Sequence, residues 1–310
     1  MLSFKNGVKL AEIEYTNKKK KSKIIYVKED DGEKNEITTI KKDELLPKSF
    51  YTGIKNINSN GIMVLRKAIR DGNIALLGRN ENLKVHYNMG IDLIKDLEKK
   101  YFSIPRDEGK ISPIPMMESS RMAVFGPSGV GKSTFISAFF KKYIQFYPKN
   151  DIYIFSPKID DPAYTKIKNL HYVKIEDTIL EYPLDVSEFK NSICCFDDIE
   201  SITDKRLNEA VRIFRNQCYE IGRAPSNITT IAVHHVILAN EKTKIILNES
   251  DEVVLFPKSN FSQIKSLITR YYGFGRDDVN YVKDISSRWV VIKRSYPTTI
   301  ISENAVKVLS

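Results

Sequence analysis

The sequence predicts an α/β fold with a mostly parallel central sheet flanked by helices, preceded by a small α+β extension. Three observations carry this prediction. From about residue 120 onward, short apolar runs alternate with amphipathic helical patterns, as expected of parallel strands joined by crossover helices. A glycine-rich turn links the first of these runs to the first helix. Two adjacent acids directly follow a later apolar run, at the carboxyl end of a predicted strand.

The alternation defines the elements of this second part of the chain. The predicted strands are Met122–Phe125, Asp151–Phe155, His171–Lys174, Ser192–Phe196, Ile228–Val233, Glu252–Phe256 and Arg288–Lys293. The predicted helices are Lys132–Phe146, Lys205–Ile221, Phe261–Tyr272 and Arg276–Ile285. We expect Trp289, the single tryptophan of the chain, to belong to the core.

Residues 1–115 look like a separate extension of unknown role. Ile111–Pro115 contains two prolines, which disfavour a helix and predict an extended connector. We therefore place a domain boundary there and assign residues 116–310 to the second domain. Within the extension, two runs alternate like the strands of a hairpin and two have helical periodicity: Val8–Tyr15, Lys23–Val27, Ile62–Ile69 and Met89–Tyr101.

The composition restricts the class of protein. The chain has 310 residues, of which 42% are hydrophobic, and this is enough for a proper core. No apolar run approaches the ~20 residues of a membrane helix, and the start of the chain lacks a charged-then-apolar leader. We therefore expect an intracellular protein that is neither secreted nor bound to a membrane. Three cysteines without zinc-site spacing fit small buried side chains: Cys194, Cys195 and Cys218.

The charge favours a polyanionic partner such as nucleic acid. The net charge is +10 and the isoelectric point is about 9.2. The densest basic cluster is Lys18–Lys23. It reads either as a solvated hairpin tip or as a DNA contact, and the first reading is the more common for such a run.

The glycine-rich turn is a complete G-x-x-x-x-G-K-S phosphate-binding motif between a strand and a helix. Backbone N–H groups of such a loop and the start of its helix point at phosphate oxygens. Lys132 is expected to reach the β- and γ-phosphates, and the Ser133 hydroxyl to hold Mg²⁺. We predict ATP as the ligand. The predicted binding residues are Gly126, Pro127, Ser128, Gly129, Val130, Gly131, Lys132, Ser133 and Thr134.

The paired acids Asp197 and Asp198 complete the predicted site. They leave a buried strand at its carboxyl end, which is the edge where ligands bind in open α/β sheets. Asp197 is predicted to bind Mg²⁺, indirectly or through water, and Asp198 is the predicted catalytic acid that polarises the attacking water. The two acids could also form a solvated turn after a strand, but this interpretation is less favoured because a phosphate-binding loop precedes them.

Two further positions are candidates for catalysis. His234 and His235 end the next predicted strand, where a polar residue can sense the γ-phosphate; a plain pair of surface histidines is an equal reading. Arg223 follows the helix-ending Gly222 and reads either as a cation at a helix terminus or as a residue that reaches a neighbouring subunit's nucleotide. Arg270 and Arg288 are weaker candidates for that second role.

Together these motifs resemble those of the genome-packaging ATPases of large eukaryotic DNA viruses, the poxvirus-type branch of the FtsK–HerA superfamily of P-loop ATPases. The resemblance spans about residues 120–305. The stretches that carry it are FGPSGVGKST, ICCFDDIE, GRAPSNITTIAVHH, ILNESDEVVLFP, ITRYYGF and SRWVVIKRSYP. The first 115 residues lie outside it.

The resemblance implies a RecA/FtsK-like P-loop NTPase core and an ATP-hydrolysing motor that moves double-stranded DNA into a preformed capsid. It implies a homo-oligomeric ring, hexameric or pentameric, with a capsid or portal component as a partner. The expected location is the host cytoplasm at the viral factory, or the virion.

The resemblance also implies residue roles. It puts Asp197 on the metal-binding acid, Asp198 on the catalytic acid and Arg223 on the arginine that acts in trans. It puts His234 at the sensor position, with His235 as the fallback. Lys158 and Lys166, in polar loops after the second predicted strand, are candidate contacts to DNA phosphates.

Three alternative readings stay open at this point. Another nucleic-acid translocase or helicase would use the same core and the same chemistry. A small-molecule kinase needs a mobile, arginine-rich lid, which the sequence does not suggest. A structural protein with a degenerate ATPase core is disfavoured because Lys132, Ser133, Asp197 and Asp198 are all present.

Overall fold

Two β-sheets, four and ten strands wide, organise the part of the chain that the computed structural model describes, residues 1–29, 41–115, 119–236 and 241–309. The smaller sheet belongs to the N-terminal extension. The larger sheet runs through the C-terminal part of the chain and also takes in one strand of the extension. Within the described ranges, no helix is long and apolar enough to cross a membrane.

The extension contains a small sheet and a group of helices. Its strands are β1 (Leu2–Ser3), β2 (Val8–Tyr15), β3 (Lys23–Val27), β4 (Tyr101–Ser103) and β5 (Gly109–Pro113). Its helices are α1 (Lys42–Leu45), α2 (Lys48–Thr52), α3 (Ser59–Asp71) and α4 (Glu81–Glu98). The predicted hairpin is confirmed, because β2 and β3 pair antiparallel around an exposed turn that holds the lysine cluster.

The remaining elements alternate much as the sequence predicts. The strands are β6 (Arg121–Phe125), β7 (Asp151–Ser156), β8 (Leu170–Lys174), β9 (Ser192–Phe196), β10 (Thr229–His234), β11 (Glu252–Leu255), β12 (Val290–Lys293), β13 (Thr299–Ser302) and β14 (Ala305–Val308). The helices are α5 (Lys132–Phe146), α6 (Thr178–Glu181), α7 (Lys205–Ile221), α8 (Glu241–Glu249), α9 (Phe261–Arg270) and α10 (Arg276–Asp284).

The predicted α/β fold with a mostly parallel central sheet is confirmed. The order of the large sheet is β4-β14-β13-β12-β11-β6-β10-β9-β7-β8. The strands from β11 to β8 in this order are parallel to one another. The central strands are almost wholly buried, as apolar runs covered by helices on both faces must be. The sequence did not predict that β13, β14 and β4 extend the sheet by antiparallel pairing.

The helix predictions for α5 and α7 are confirmed with the same bounds. Helix α7 begins where the Asp204 side chain accepts hydrogen bonds from the N–H groups of Arg206 and Leu207. It buries an apolar stripe at helical spacing along the sheet, with Leu207, Val211, Phe214 and Cys218. Cys194, Cys195 and Cys218 are buried free thiols, as predicted.

The extension packs directly on α5, the helix that follows the phosphate-binding loop. Leu10 and Ile13 of β2 share one buried apolar cluster with Phe135 and Phe139 of α5. Next to this cluster, the Lys142 ammonium group donates hydrogen bonds to Glu12 at 2.5 Å and to Glu14 at 2.9 Å. A continuous core and a partly buried ion cluster therefore join the two parts of the chain.

The extension differs from the prediction in two ways. The predicted helix Met89–Tyr101 is wrong at both ends, because α4 begins at Glu81 and Tyr101 already belongs to β4. The predicted connector Ile111–Pro115 is extended, but much of it is β5, which pairs with β2. Pro113 is tolerated there because it ends the strand. The boundary at residue 115 stays a prediction, and β4 crosses it by pairing with β14.

Candidate nucleotide-binding site

The phosphate-binding loop lies between β6 and α5, at the carboxyl edge of the parallel strands. Gly131 precedes the first residue of α5 with φ 103°, a left-handed conformation that favours glycine. Gly126 has φ in the ordinary range, but a Cβ atom there would lie 2.9 Å from the Phe256 ring and 2.9 Å from Val130 Cγ2. Both glycines are therefore required by the shape of the loop.

Lys132, the first residue of α5, is folded back over the loop. Its ammonium group donates to the carbonyl oxygens of Gly126 at 2.7 Å and Pro127 at 3.1 Å. Burial lowers the pKa of Lys132, while the acids Asp197 and Asp198 act in the opposite direction. The side chain is 9% exposed, so this cation faces the interior of the site and not bulk solvent.

A cavity of about 770 Å³ opens in front of the loop. Most of the predicted binding residues line it: Ser128, Gly129, Gly131, Lys132, Ser133 and Thr134. Gly126 and Pro127 contribute through the carbonyl groups that hold Lys132, and Val130 faces a neighbouring cavity. The cavity also contains Asp197, Asp198 and His235, so the fold brings the two predicted halves of the site together.

Asp197 and Ser133 offer the oxygen ligands that Mg²⁺ prefers. Burial raises the pKa of Asp197, and the carboxylate of Asp198 raises it further. The Tyr164 hydroxyl lies 3.5 Å from Asp197 Oδ2, and Ser133 and Tyr164 line the same cavity. A buried carboxylate next to a second acid is stabilised by a bound cation. These residues therefore fit the predicted metal site.

Asp198 is held by two side chains. Its Oδ1 accepts a hydrogen bond from His235 Nε2 at 2.9 Å, and its Oδ2 accepts one from Lys158 Nζ at 2.5 Å. Burial raises the pKa of Asp198, but the hydrogen bonds from Lys158 and His235 outweigh burial and hold the pKa below its ordinary value. The carboxylate is thus kept ionised, as a group that polarises water must be.

His235 connects Lys132 to Asp198. Its Nδ1 lies 3.3 Å from Lys132 Nζ, and its Nε2 faces Asp198. The tautomer that satisfies both contacts accepts at Nδ1 and carries its proton on Nε2. The imidazole is therefore fixed next to the position of the phosphates.

The sensor role stays a prediction, and of its two candidates His234 lies away from the phosphate cavity. His234 is the last residue of β10, and its side chain is 2% exposed. It stacks on Phe125, and its Nδ1 contacts the Glu200 carboxylate. Because successive strand residues point to opposite sides, His235 and not His234 faces the phosphate cavity.

Arg223 lies away from this chain's own cavity. It precedes β10, so it is at the amino edge of the parallel strands, whereas the loop and the acids are at the carboxyl edge. There its guanidinium group lies 3.6 Å from Asp251 Oδ1 and is 47% exposed. A role at this chain's own phosphates is therefore excluded, and action on a neighbouring subunit stays a prediction.

Several residues of the site were not predicted in these roles. Tyr164, Asp160 and Asp161 lie in the segment after β7 and line the cavity. Lys158, predicted as a DNA contact, is paired with Asp198. Lys166 is not among the cavity's lining residues. Only the position of this segment, after the carboxyl end of a parallel strand, signals that it faces a ligand.

A known protein with similar sequence comes from a virus. The chain is 33% identical over 213 residues to Uncharacterized protein V3 of Sputnik virophage, and the match covers 65% of this chain and 82% of that protein. The chain belongs to the V3 family. No protein-family model matches the sequence.

Solved structures offer weaker likenesses to this V3-family chain. The genome packaging NTPase B204 of Sulfolobus turreted icosahedral virus 2, in complex with AMPPCP, has a TM-score of 0.42 and 11% identity, covering 60% of this chain and 99% of that one. The pCW3 conjugation coupling protein TcpA has a TM-score of 0.42 and 10% identity, covering 65% of this chain and 64% of that one. Likenesses this weak carry no argument about function.

Proposed function

We propose that this V3-family protein is an ATP-hydrolysing motor that moves double-stranded DNA into a preformed viral capsid. The observation that carries the proposal is the meeting of Lys132, Asp197, Asp198 and His235 at one cavity beneath the phosphate-binding loop. The ordered motifs that resemble packaging ATPases, and a family relative encoded by a virophage, support the DNA substrate and the capsid.

The side chains divide the chemistry of hydrolysis among them. Lys132 and the loop N–H groups hold the β- and γ-phosphates of ATP. Ser133 and Asp197 would hold Mg²⁺, which when bound neutralises charge on the phosphate oxygens. Asp198 accepts a hydrogen bond from the attacking water and orients it. His235 positions Asp198 by donating its single N–H, on Nε2, to the carboxylate.

The attacking water must reach a carboxylate oxygen of Asp198. Both of its oxygens are engaged, Oδ1 by His235 and Oδ2 by Lys158. The Lys158 side chain is 75% exposed, so its ion pair is the weaker one to break. We therefore place the attacking water at Asp198 Oδ2, where it replaces the Lys158 ammonium group.

The working form is a homo-oligomeric ring, a hexamer or a pentamer. Arg223 lies at the sheet edge opposite the nucleotide cavity of its own subunit. It can contact a phosphate only if the cavity of a second subunit lies next to that edge. DNA is gripped at its phosphates without base readout, which fits the net charge of +10. Within this proposal the ring docks on a capsid or portal component in the viral factory or the virion.

Triplex displacement tests the motor directly. The full-length protein is mixed with ATP, Mg²⁺ and a long duplex that carries a fluorescent third strand at one end. A packaging motor or another duplex translocase strips the third strand in an ATP-dependent way, and Asp198→Asn does not. Hydrolysis without displacement on any duplex contradicts the proposal.

A further inference from the structure

A second cavity, of about 410 Å³, lies on the other side of the first turn of α5. It shares Gly131 and Thr134 with the phosphate cavity, so the two cavities adjoin at the start of the helix. A ligand whose phosphates occupy the first cavity therefore has its remaining part within reach of the second.

Antiparallel pairing places the aromatic wall of this second cavity at the correct edge of the sheet. Leu255, the last residue of β11, pairs with Val290, the first residue of β12. The residues just beyond these two, Phe256 and Trp289, therefore lie together beside the phosphate-binding loop, and both line the cavity. Trp289 is half-buried and meets Phe135 edge-on, with ring centroids 5.1 Å apart.

The opposite wall comes from the N-terminal extension. Lys110, Ile111 and Ser112 of β5 line the cavity. The Ile111 N–H donates to the Glu303 carbonyl oxygen at 2.7 Å, which fixes the extension against the turn between β13 and β14. The extension is thus a structural part of this cavity.

The cavity combines an aromatic face, a cation and a carboxylate. The Arg288 guanidinium group forms no ion pair with any residue in the described ranges, and this side chain is exposed at the rim. Glu303 Oε2 accepts from the Arg288 N–H at 3.1 Å, which anchors the carboxylate next to the tryptophan. Aromatic faces and guanidinium planes stack on nucleobases, and a carboxylate accepts from the amino group of a base.

We infer that this second cavity is the nucleobase subsite, in which the purine of the nucleotide stacks on Trp289 and is closed in by the N-terminal strand β5. This inference rests on the proposed binding of ATP by the loop. It gives the extension a part in nucleotide recognition and Trp289 a role beyond the core.

Intrinsic tryptophan fluorescence reports on occupancy of the subsite because Trp289 is the only tryptophan in the chain. ATP is titrated into the full-length protein, and inorganic tripolyphosphate is titrated separately as a ligand without a base. We expect ATP to quench the tryptophan emission and tripolyphosphate to bind by calorimetry without quenching it.

Calorimetry on variants supplies the second readout. Trp289→Ala is expected to weaken ATP binding about 5- to 150-fold, the range for losing one base-stacking contact, and to leave tripolyphosphate binding unchanged. Trp289→Phe keeps an aromatic face and retains most of the ATP affinity. Tyr296→Ala removes an aromatic residue that is 96% exposed beyond the other end of β12, and it is the matched control with no expected effect.

The outcomes separate this inference from the proposed function. One outcome is that ATP binds without changing the Trp289 emission, and that Trp289→Ala binds ATP as tightly as the wild-type protein. The base then lies elsewhere, so the inference is overturned while the proposed function stands. Trp289→Ala that weakens ATP and tripolyphosphate equally also overturns it, because the loss is then structural. If neither ligand binds the wild-type protein, the proposed function and the inference both fail.

Discussion

The Nε2 atom of His235 lies 2.9 Å from Oδ1 of Asp198, the acid that follows Asp197 at the end of β9. The contact joins the ends of two neighbouring parallel strands, because β10 pairs with β9. It fixes the orientation of the carboxylate before any ligand arrives. Catalytic groups that are oriented in advance need little reorganisation during the reaction.

Replacement of His235 tests this contact. His235→Ala removes the donor that orients Asp198, so we expect kcat for ATP hydrolysis to fall about 100-fold, as expected when a catalytic group is misplaced, with a smaller change in ATP binding. His234→Ala is the comparison: His234 stacks on Phe125 in the core, so its loss is expected to lower the melting temperature. The assignment is wrong if His235→Ala hydrolyses ATP at the wild-type rate.

The ion cluster of Lys142, Glu12 and Glu14 is expected to stabilise the contact between α5 and the N-terminal extension. Lys142 is 10% exposed and serves both Glu12 and Glu14. Lys142→Met removes the cation that Glu12 and Glu14 share and leaves only the exposed Lys110 next to Glu14, so we expect the free energy of unfolding to fall by about 3 kcal/mol. Chemical denaturation measures it, with Lys141→Met as the exposed neighbouring control. Equal stability of the two variants contradicts a role for the cluster.

The helical part of the extension contains a pH-dependent contact. The Arg70 guanidinium group donates two hydrogen bonds, each of 2.9 Å, to the buried Asp43 carboxylate and holds its pKa below the ordinary value. The resulting stabilisation is fully present above the unfolded-state pKa of about 4 and is lost as the pH falls through the folded-state value.

Asp43→Asn removes that contribution. We expect a gap in unfolding free energy of about 1–2 kcal/mol at pH 7, kept small because Arg70 is partly exposed, and we expect the gap to close as the buffer is acidified. Denaturant titrations over this pH range measure it. Glu81→Gln breaks an exposed ion pair and serves as the control. A gap that does not change with pH contradicts the assignment.

Mixing experiments test the trans role of Arg223. In a ring, Arg223→Ala and Asp198→Asn are each expected to abolish most hydrolysis, because each removes one of the two groups that meet between subunits. Mixed rings contain some interfaces where an intact Arg223 faces an intact Asp198. We therefore expect the mixture to recover part of the activity. If mixing restores nothing while mixed rings form, Arg223 does not act in trans.

The sequence was sufficient to predict the site where the chemistry is local. The loop and the two acids could be predicted because a strand, a glycine turn and a helix are contiguous, and because Asp197 leaves a buried strand at a fixed edge. The bounds of α5 and α7 followed from apolar periodicity and, at the end of α7, from Gly222.

The rest depends on contacts that are distant in sequence. Which histidine faces the phosphates is decided by the residue at which β10 leaves the sheet, and a shift of one position exchanges them. Trp289 was expected in the core, and only the antiparallel β11–β12 pairing brings it beside the loop. The short strands β4, β13 and β14 have weak local patterns and are fixed by pairing with one another.

The most direct test of the central claim is the rate of ATP hydrolysis with and without long double-stranded DNA, measured on the wild-type protein and on Asp198→Asn. The proposed motor predicts Mg²⁺-dependent hydrolysis that duplex DNA stimulates and that Asp198→Asn abolishes. Robust hydrolysis that no nucleic acid changes would contradict the claim and would point to a small-molecule substrate.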